Sequence, residues 1–445
     1  MNLLFISLGC DKNLVDTEKM LGLLGKEGYA FVDDEALADV IVINTCCFIG
    51  DAKEESVNTI LEMAKRKEEG RLKVLVVTGC LAQRYKEEIT QEIPEVDAVL
   101  GTTSYEKIAD AIKEALGGEK TLHLADIDAP VGTATDRLVT TGGHYAFLKI
   151  AEGCDKRCTY CIIPYLRGKY RSVPMEQLLK EAGELAEKGV KELILVAQET
   201  TLYGKDLYGE KKLPELLRKL AKIPGIQWIR LQYCYPEEIT DELIETIRTE
   251  EKVCHYLDIP IQHASDAILK RMGRRTNNRE LRELIAKLRR EIPDIALRTT
   301  LISGFPGETE EDHEILMDFV DEMEFDRLGV FAYSPEEDTP AYSFENQVDE
   351  QVKERRRDEI MELQQEIAFE RSESKKGQVL EVMIEGKVAD ENACVGRTYM
   401  DSPGVDGLIF VNTALPLMSG DFARVRVTGA SGYDLIGEVE DEFTE

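Results

Sequence analysis

No run of about eighteen or more apolar residues occurs in the chain, which excludes an ordinary membrane-spanning helix. The first residues, Met1-Asn2-Leu3-Leu4-Phe5-Ile6-Ser7, lack the basic segment that leads into a cleavable secretion signal. A cytoplasmic protein is therefore expected. Positive charge is scarce as well: 55 Lys and Arg stand against 86 Asp and Glu, a formal net charge of -31. That balance repels a phosphate backbone wherever no local basic patch overrides it, and suits a basic protein partner better. Acidity that serves solubility alone is the plainer explanation it competes with. The glycine-rich stretch Ser303-Gly304-Phe305-Pro306-Gly307-Glu308-Thr309 lacks the lysine of a phosphate-cradling loop, so it reads as a tight turn. Without a secretory signal, ten cysteines argue for metal ligands and reduced core residues rather than a disulfide framework.

What is present begins with Gly153-Cys154-Asp155-Lys156-Arg157-Cys158-Thr159-Tyr160-Cys161, three thiols spaced C-x-x-x-C-x-x-C. A structural zinc or an electron-carrying iron–sulfur cluster is normally closed by four protein ligands, so three leave one metal position open for chemistry. A zinc knuckle completed by a remote residue, or three unrelated core thiols, are the competing readings. At 445 residues and 43% hydrophobic content, the chain is long enough for about three globular domains.

Residues 1–116 alternate short apolar runs, such as Val40-Ile41-Val42-Ile43 and Val74-Leu75-Val76-Val77, with helical patterns. Four β-α units of an open, mostly parallel α/β sheet are expected. Cys10 follows the first predicted strand, Cys46 the second and Cys80 the third. Residues just beyond the carboxyl ends of neighbouring parallel strands face one crevice, the usual ligand site of such sheets. The three thiols are expected to meet there as a second metal site, again with an open edge. Small buried cysteines at strand ends are the alternative.

The words around these thiols resemble a known family. Ser7-Leu8-Gly9-Cys10-Asp11-Lys12-Asn13-Leu14-Val15-Asp16, Asn44-Thr45-Cys46-Cys47-Phe48-Ile49 and Thr78-Gly79-Cys80-Leu81-Ala82-Gln83-Arg84-Tyr85 are similar to the three motifs of the methylthiotransferase N-terminal domain. The loop from Cys154 to Cys161 resembles the signature of the radical S-adenosylmethionine (radical SAM) enzymes. The resemblance implies two 4Fe-4S clusters. One sits on Cys154, Cys158 and Cys161 with S-adenosylmethionine at its unique iron, the other on Cys10, Cys46 and Cys80. Cys47 stands where the family usually has a small residue, and remains an alternative to Cys46. Asp11 stands where a proline is common and is expected to be neutral.

Residues 117–143, with Gly117-Gly118 and Thr140-Thr141-Gly142-Gly143, read as a linker. Over residues 144–373, the strand entering the cysteine loop and five later apolar runs make about six β-α units, fewer than a closed eight-fold barrel needs. The resemblance implies a partial (β/α)6 radical SAM barrel, and a long charged helix over 347–375 follows it. It also implies that Tyr160 contacts the adenine of the cofactor and that the turn 303–309 lies beside it. Gln198, Arg298 and the Asp258–His263 segment are weaker candidates, chosen for their place at predicted strand ends. For His263 a hydrogen-bonded structural role is equally open. Cys234, Cys254 and Cys394 have no partner at ligand spacing. Residues 374–445 read as short strands of a small all-β barrel and resemble the TRAM module. With six Lys and Arg against thirteen Asp and Glu there, the charge has the wrong sign for tRNA and suits a basic protein.

Within the family, the wording around Cys10 and Cys158 resembles the branch that modifies an aspartate of small-subunit ribosomal protein twelve, free or on the ribosome. The branch that methylthiolates a tRNA adenosine is the alternative, and a non-catalytic iron–sulfur scaffold or electron carrier is the third reading. A carbon beside a carboxylate has no leaving group, so a carbon radical is the available route to a new carbon–sulfur bond. The resemblance implies that cleaved S-adenosylmethionine removes hydrogen from the aspartate β-carbon, that the N-terminal cluster presents sulfur, and that a second S-adenosylmethionine supplies the methyl group. An external electron donor is implied, and no membrane partner. The protein's share is to position both cofactors around one carbon.

Overall fold

The computed structural model describes residues 1–132, 137–389 and 391–440; residues 133–136 of the predicted linker and the last five residues of the predicted C-terminal barrel domain lie outside that description. Two six-stranded parallel sheets and a closed five-stranded barrel carry the fold.

The first sheet runs, edge to edge, through Ala30–Phe31, Asn2–Ser7, Val40–Thr45, Val74–Gly79, Ala98–Leu100 and Thr121–His123. Its two central strands are buried at every position, as continuous Val, Ile and Leu runs are when helices cover both faces. Two strands exceed the four expected. One of them, Thr121–His123, pairs with Ala98–Leu100 inside the segment read as a linker. Three half-exposed residues at a sheet edge carry too little periodicity to be read as a strand. Further on, the segment is anchored: Arg137 is buried against Glu18 and Glu181, and Leu138 donates its N–H to the Glu18 carbonyl.

The second sheet runs through Arg327–Ala332, Ala296–Ser303, Val253–Asp258, Trp228–Leu231, Glu192–Val196 and Tyr145–Lys149, with its two edges unjoined. This is the partial barrel expected. Side chains alternate across it. Ile229, Leu231, Leu257 and Leu297 pack into the outer helical layer. On the inner face, Trp228, Cys254, Tyr256 and Ala296 pack against the C-terminal barrel, while Phe147, Ile194 and Val196 meet Val15 of the helix Asp11–Lys26. The open barrel is thus filled from two sides by its neighbouring domains.

The C-terminal barrel closes in the order Val379–Lys387, Ala393–Thr398, Ile409–Asn412, Asp434–Val439 and Phe422–Ser431. The strand Ala393–Thr398 escapes a hydropathy reading because Gly396 and the buried Arg397 interrupt it. Arg397 crosses to Glu192 at 2.7 Å, and Arg230 meets the same carboxylate at 2.7 Å. Burial alone would raise the Glu192 pKa, but the two guanidiniums hold it below the usual carboxylate range. The long helix, Glu350–Glu373, lies where expected. Among the described residues, no helix is long and apolar enough to cross a membrane.

Candidate active site

Cys10, Cys46 and Cys80 follow three strands that are immediate neighbours in the first sheet, all at their carboxyl ends. Gly9 and Gly79 turn the chain there with φ of +90° and +94°. A Cβ on Gly9 would lie 2.7 Å from Cys46 Cβ, and one on Gly79 2.3 Å from Asn44 Oδ1, so only glycine lets these turns close. Asn13 ties them together by donating to the Leu8 carbonyl at 3.1 Å and the Thr45 carbonyl at 3.0 Å. Burial pushes the Cys46 thiol up to about 12, with Cys80 and Cys10 adding to the effect. Burial raises Cys80 too, against the pull of Arg167 and with Cys10 in its field. Cys47 instead packs in the hydrophobic core beneath, with the Arg84 guanidinium beside it.

The second set is held by its own backbone. Cys154 donates its N–H to the Gly168 carbonyl at 3.0 Å, Cys161 to Cys158 at 3.0 Å, and Thr159 to Met272 at 2.9 Å. Gly153, with φ +76°, passes so close to Lys169 that a Cβ would lie 2.1 Å from its carbonyl oxygen. Burial pushes Cys154 up to about 12. Around the loop are buried polar atoms without hydrogen-bond partners, Gln198 Oε1 and the Nε and Nη1 of Arg274, while Glu199 Oε2 meets the Lys156 ammonium at 3.3 Å. Burial, opposed by Lys156, lifts the Glu199 carboxyl to about 7. An unpaired amide oxygen and unpaired guanidinium donors beside three thiols fit a small polar ligand with a carboxylate, such as S-adenosylmethionine. Tyr160 sits edge-on to Phe305, ring centroids 6.4 Å apart. The turn carrying Phe305 packs beneath the long helix, where Ser303 Oγ donates to the Lys353 carbonyl at 3.0 Å.

Three connections join the two sets. Arg167, six residues past Cys161, reaches Cys80 Sγ at 3.6 Å and also Asp16 and Glu152, at 2.8 and 3.2 Å. Lys149 bridges the same two carboxylates. The third is the turn after Trp228–Leu231. Tyr233 adopts φ +58°, a conformation costly for a bulky residue, with its N–H donated to Asp258 Oδ2 at 3.0 Å and its hydroxyl to Asp11 at 3.3 Å. The Lys12 ammonium lies 3.3 Å from the centroid of the Tyr233 ring. Burial would strip the proton from Lys12, but the nearby phenol, thiol and carboxyl outweigh that and hold its pKa above the ordinary value. Two residues on, Tyr235 Oη is 3.9 Å from Cys158 Sγ, and Arg274 lies over its ring at 4.4 Å. Gln232 donates to Ser402 of the C-terminal barrel at 2.6 Å, so one turn touches all three domains. Among the described residues, no three His, Cys, Asp or Glu side chains are drawn close enough to form a metal cage by distance alone. What the fold supplies is two thiol sets linked through Arg167, Lys149 and the turn carrying Tyr233 and Tyr235.

Family models match along the chain in three blocks: UPF0004, an uncharacterized protein family, over residues 2–101, the radical SAM superfamily over 148–320, and the TRAM domain over 377–439. A protein of Lachnoclostridium phytofermentans named ribosomal protein uS12 methylthiotransferase RimO is 66% identical over 99% of this chain and 100% of its own length. The chain belongs to the uS12 methylthiotransferase family. A second member, from Acetivibrio thermocellus, is 54% identical over 99% of this chain and 98% of its own. Among solved structures, the radical S-adenosylmethionine methyltransferase TsrM from Kitasatospora setae shares the fold, with a TM-score of 0.55 at 13% identity over 76% of each chain.

In this family member the weaker candidates divide. Gln198 donates to Glu152 at 2.9 Å beside the cysteine loop. Arg298 meets Asp258 at 3.0 Å and Asp406 at 3.3 Å on the inner face. His263 is fully buried, its Nδ1 accepting the Ser265 N–H at 2.9 Å and its Nε2 facing Glu308 at 3.5 Å. Asp11, expected to be neutral, holds the Tyr233 hydroxyl. Arg167, Lys149, Tyr233, Tyr235 and Arg274 were beyond sequence reasoning, because each owes its place to a partner far away in the chain. Glu199 had a signal, since it directly follows Gln198 at a strand end.

Proposed function

We propose that this chain adds a methylthio group to the β-carbon of an aspartate on ribosomal protein uS12. The observation that carries the reading is a three-thiol set at the ends of adjacent strands, linked through Arg167 to the loop bearing the second set, in a chain 66% identical to a named uS12 methylthiotransferase over 99% of its length. Cys154, Cys158 and Cys161 would hold one 4Fe-4S cluster, with S-adenosylmethionine among Gln198, Glu199, Arg274 and Tyr160; Cys10, Cys46 and Cys80 would hold the other. When bound, these groups supply hydrogen abstraction, sulfur and the methyl group. The chain's residues do the remaining work. Gly9, Gly79 and Gly153 let the thiols converge. Arg167 and Lys149 fix one set against the other, so that both reach a single carbon. The C-terminal barrel and helix Asp11–Lys26 close the inner face of the partial barrel and limit water around it.

The net charge of -31 supports a basic protein as the partner and disfavours tRNA. An external donor supplies electrons. The test is an anaerobic assay in which reconstituted chain, reductant and S-adenosylmethionine meet purified uS12 and bulk tRNA side by side, each read by mass spectrometry. A methylthio mass increase on uS12 alone is expected. Modification of tRNA alone overturns the choice of substrate, and no cleavage of S-adenosylmethionine with either would favour a scaffold.

A further inference from the structure

We propose that Lys12 is the grip for the carboxylate of the target aspartate. The inference rests on the reading above and specifies how the substrate side chain is held.

A reactive β-carbon brings its own carboxylate with it. Placed between two sets of thiolate ligands, that anion must be desolvated in a crevice already rich in negative charge, and burying it unpaired is expensive. The crevice therefore needs a cation not already committed to a carboxylate. Most buried cations there are committed. Arg167 and Lys149 share Asp16 and Glu152. Lys156 is surrounded by Glu199, Glu237 and Glu238, and Arg298 by Asp258 and Asp406.

Two cations differ. Arg274 keeps two nitrogens unpaired, but it lies over Tyr235 beside Cys158, on the cofactor's side. Lys12 lies over Tyr233, beside Cys10. It is 7% exposed, and among the described residues it makes no ion pair. The turn that follows Trp228–Leu231 thus presents two cation-over-tyrosine pairs two residues apart, one toward each thiol set. The Tyr233 face stabilises the ammonium without neutralising it, which leaves its charge available to an incoming anion. Lys12 also stands in the first turn of the sixteen-residue helix Asp11–Lys26, where the helix dipole favours an anion as well. Its position beside Cys10 puts a bound carboxylate next to the thiol set that would deliver sulfur.

The test is equilibrium binding of the full-length, iron-loaded chain to two forms of uS12, natural and with the target aspartate changed to asparagine. A charge-assisted contact of this kind corresponds to a preference for the aspartate form of about tenfold or more. Lys12→Gln is expected to bind both forms equally, at the affinity the natural chain shows for the asparagine form. Lys12→Arg is expected to keep a preference. A Lys12→Gln chain that retains the full preference overturns the inference, as does a Lys12→Arg chain without any. If the unaltered chain modifies uS12 yet binds both forms alike, the grip is wrong and the substrate stands. If it modifies tRNA instead, the substrate falls and the grip falls with it.

Discussion

The Nη2 of Arg167 stands 3.6 Å from Cys80 Sγ, while Nη1 of the same guanidinium donates to Glu152, two residues before Cys154, at 3.2 Å. One rigid planar group therefore spans from the N-terminal thiol set to the strand that delivers the central one. Removing it leaves two buried carboxylates, Asp16 and Glu152, to the single ammonium of Lys149. Arg167→Gln should lower unfolding stability by about 3 kcal/mol, within the range for breaking a buried ion pair. Arg167→Lys should recover only part of that, because an ammonium lacks the planar fork. Denaturant unfolding of all three chains measures it.

Glu192 makes the anchoring of the C-terminal barrel dependent on pH. Burial opposes its ionisation, but Arg397 and Arg230 more than compensate, so the folded pKa lies below the unfolded one. Stability from this group is therefore present above the unfolded value of about 4.3 and is lost as pH falls through the lowered folded value. Denaturant midpoints from pH 7 down to pH 3 should fall in the natural chain. Glu192→Gln should begin lower at pH 7, by about 3 kcal/mol, and vary less with pH.

The close passage at Gly79 gives a local test. A methyl group there would meet Asn44 Oδ1 at 2.3 Å and the Thr45 carbonyl at 2.5 Å, with φ at +94°. Gly79→Ala should cost about 2 kcal/mol or more, and should lower iron content at the N-terminal set before the central one. Alanine at Gly118, whose Cβ would meet nothing within 4 Å, provides the control: it shares a positive φ of +89° but no clash.

The parts of this molecule that were legible in its sequence are those written locally. Val40–Thr45 and Val74–Gly79 declare themselves through continuous apolar runs, and the C-x-x-x-C-x-x-C loop through its spacing. The placement of Cys10, Cys46 and Cys80 along one edge followed from topology alone, because neighbouring parallel strands end on the same side. What stayed hidden depends on distant partners. Thr121–His123 becomes a strand only because Ala98–Leu100 leaves an edge to pair with. Arg397 reads as a surface residue until Glu192, 205 positions away, buries it. Tyr233 could not be singled out, since its strained backbone and its contact with Lys12 exist only once the first two domains dock.

The central claim is that two separate three-thiol sets each carry an iron–sulfur cluster. Anaerobic iron and sulfide analysis with Mössbauer spectroscopy tests it directly, on the natural chain and on two triple alanine variants, one at Cys10, Cys46 and Cys80, the other at Cys154, Cys158 and Cys161. Two four-iron clusters give about eight iron atoms per natural chain and about four in either variant, each variant keeping the spectrum the other has lost. About four iron atoms in the natural chain, or a variant of the N-terminal set that keeps them all, would contradict it.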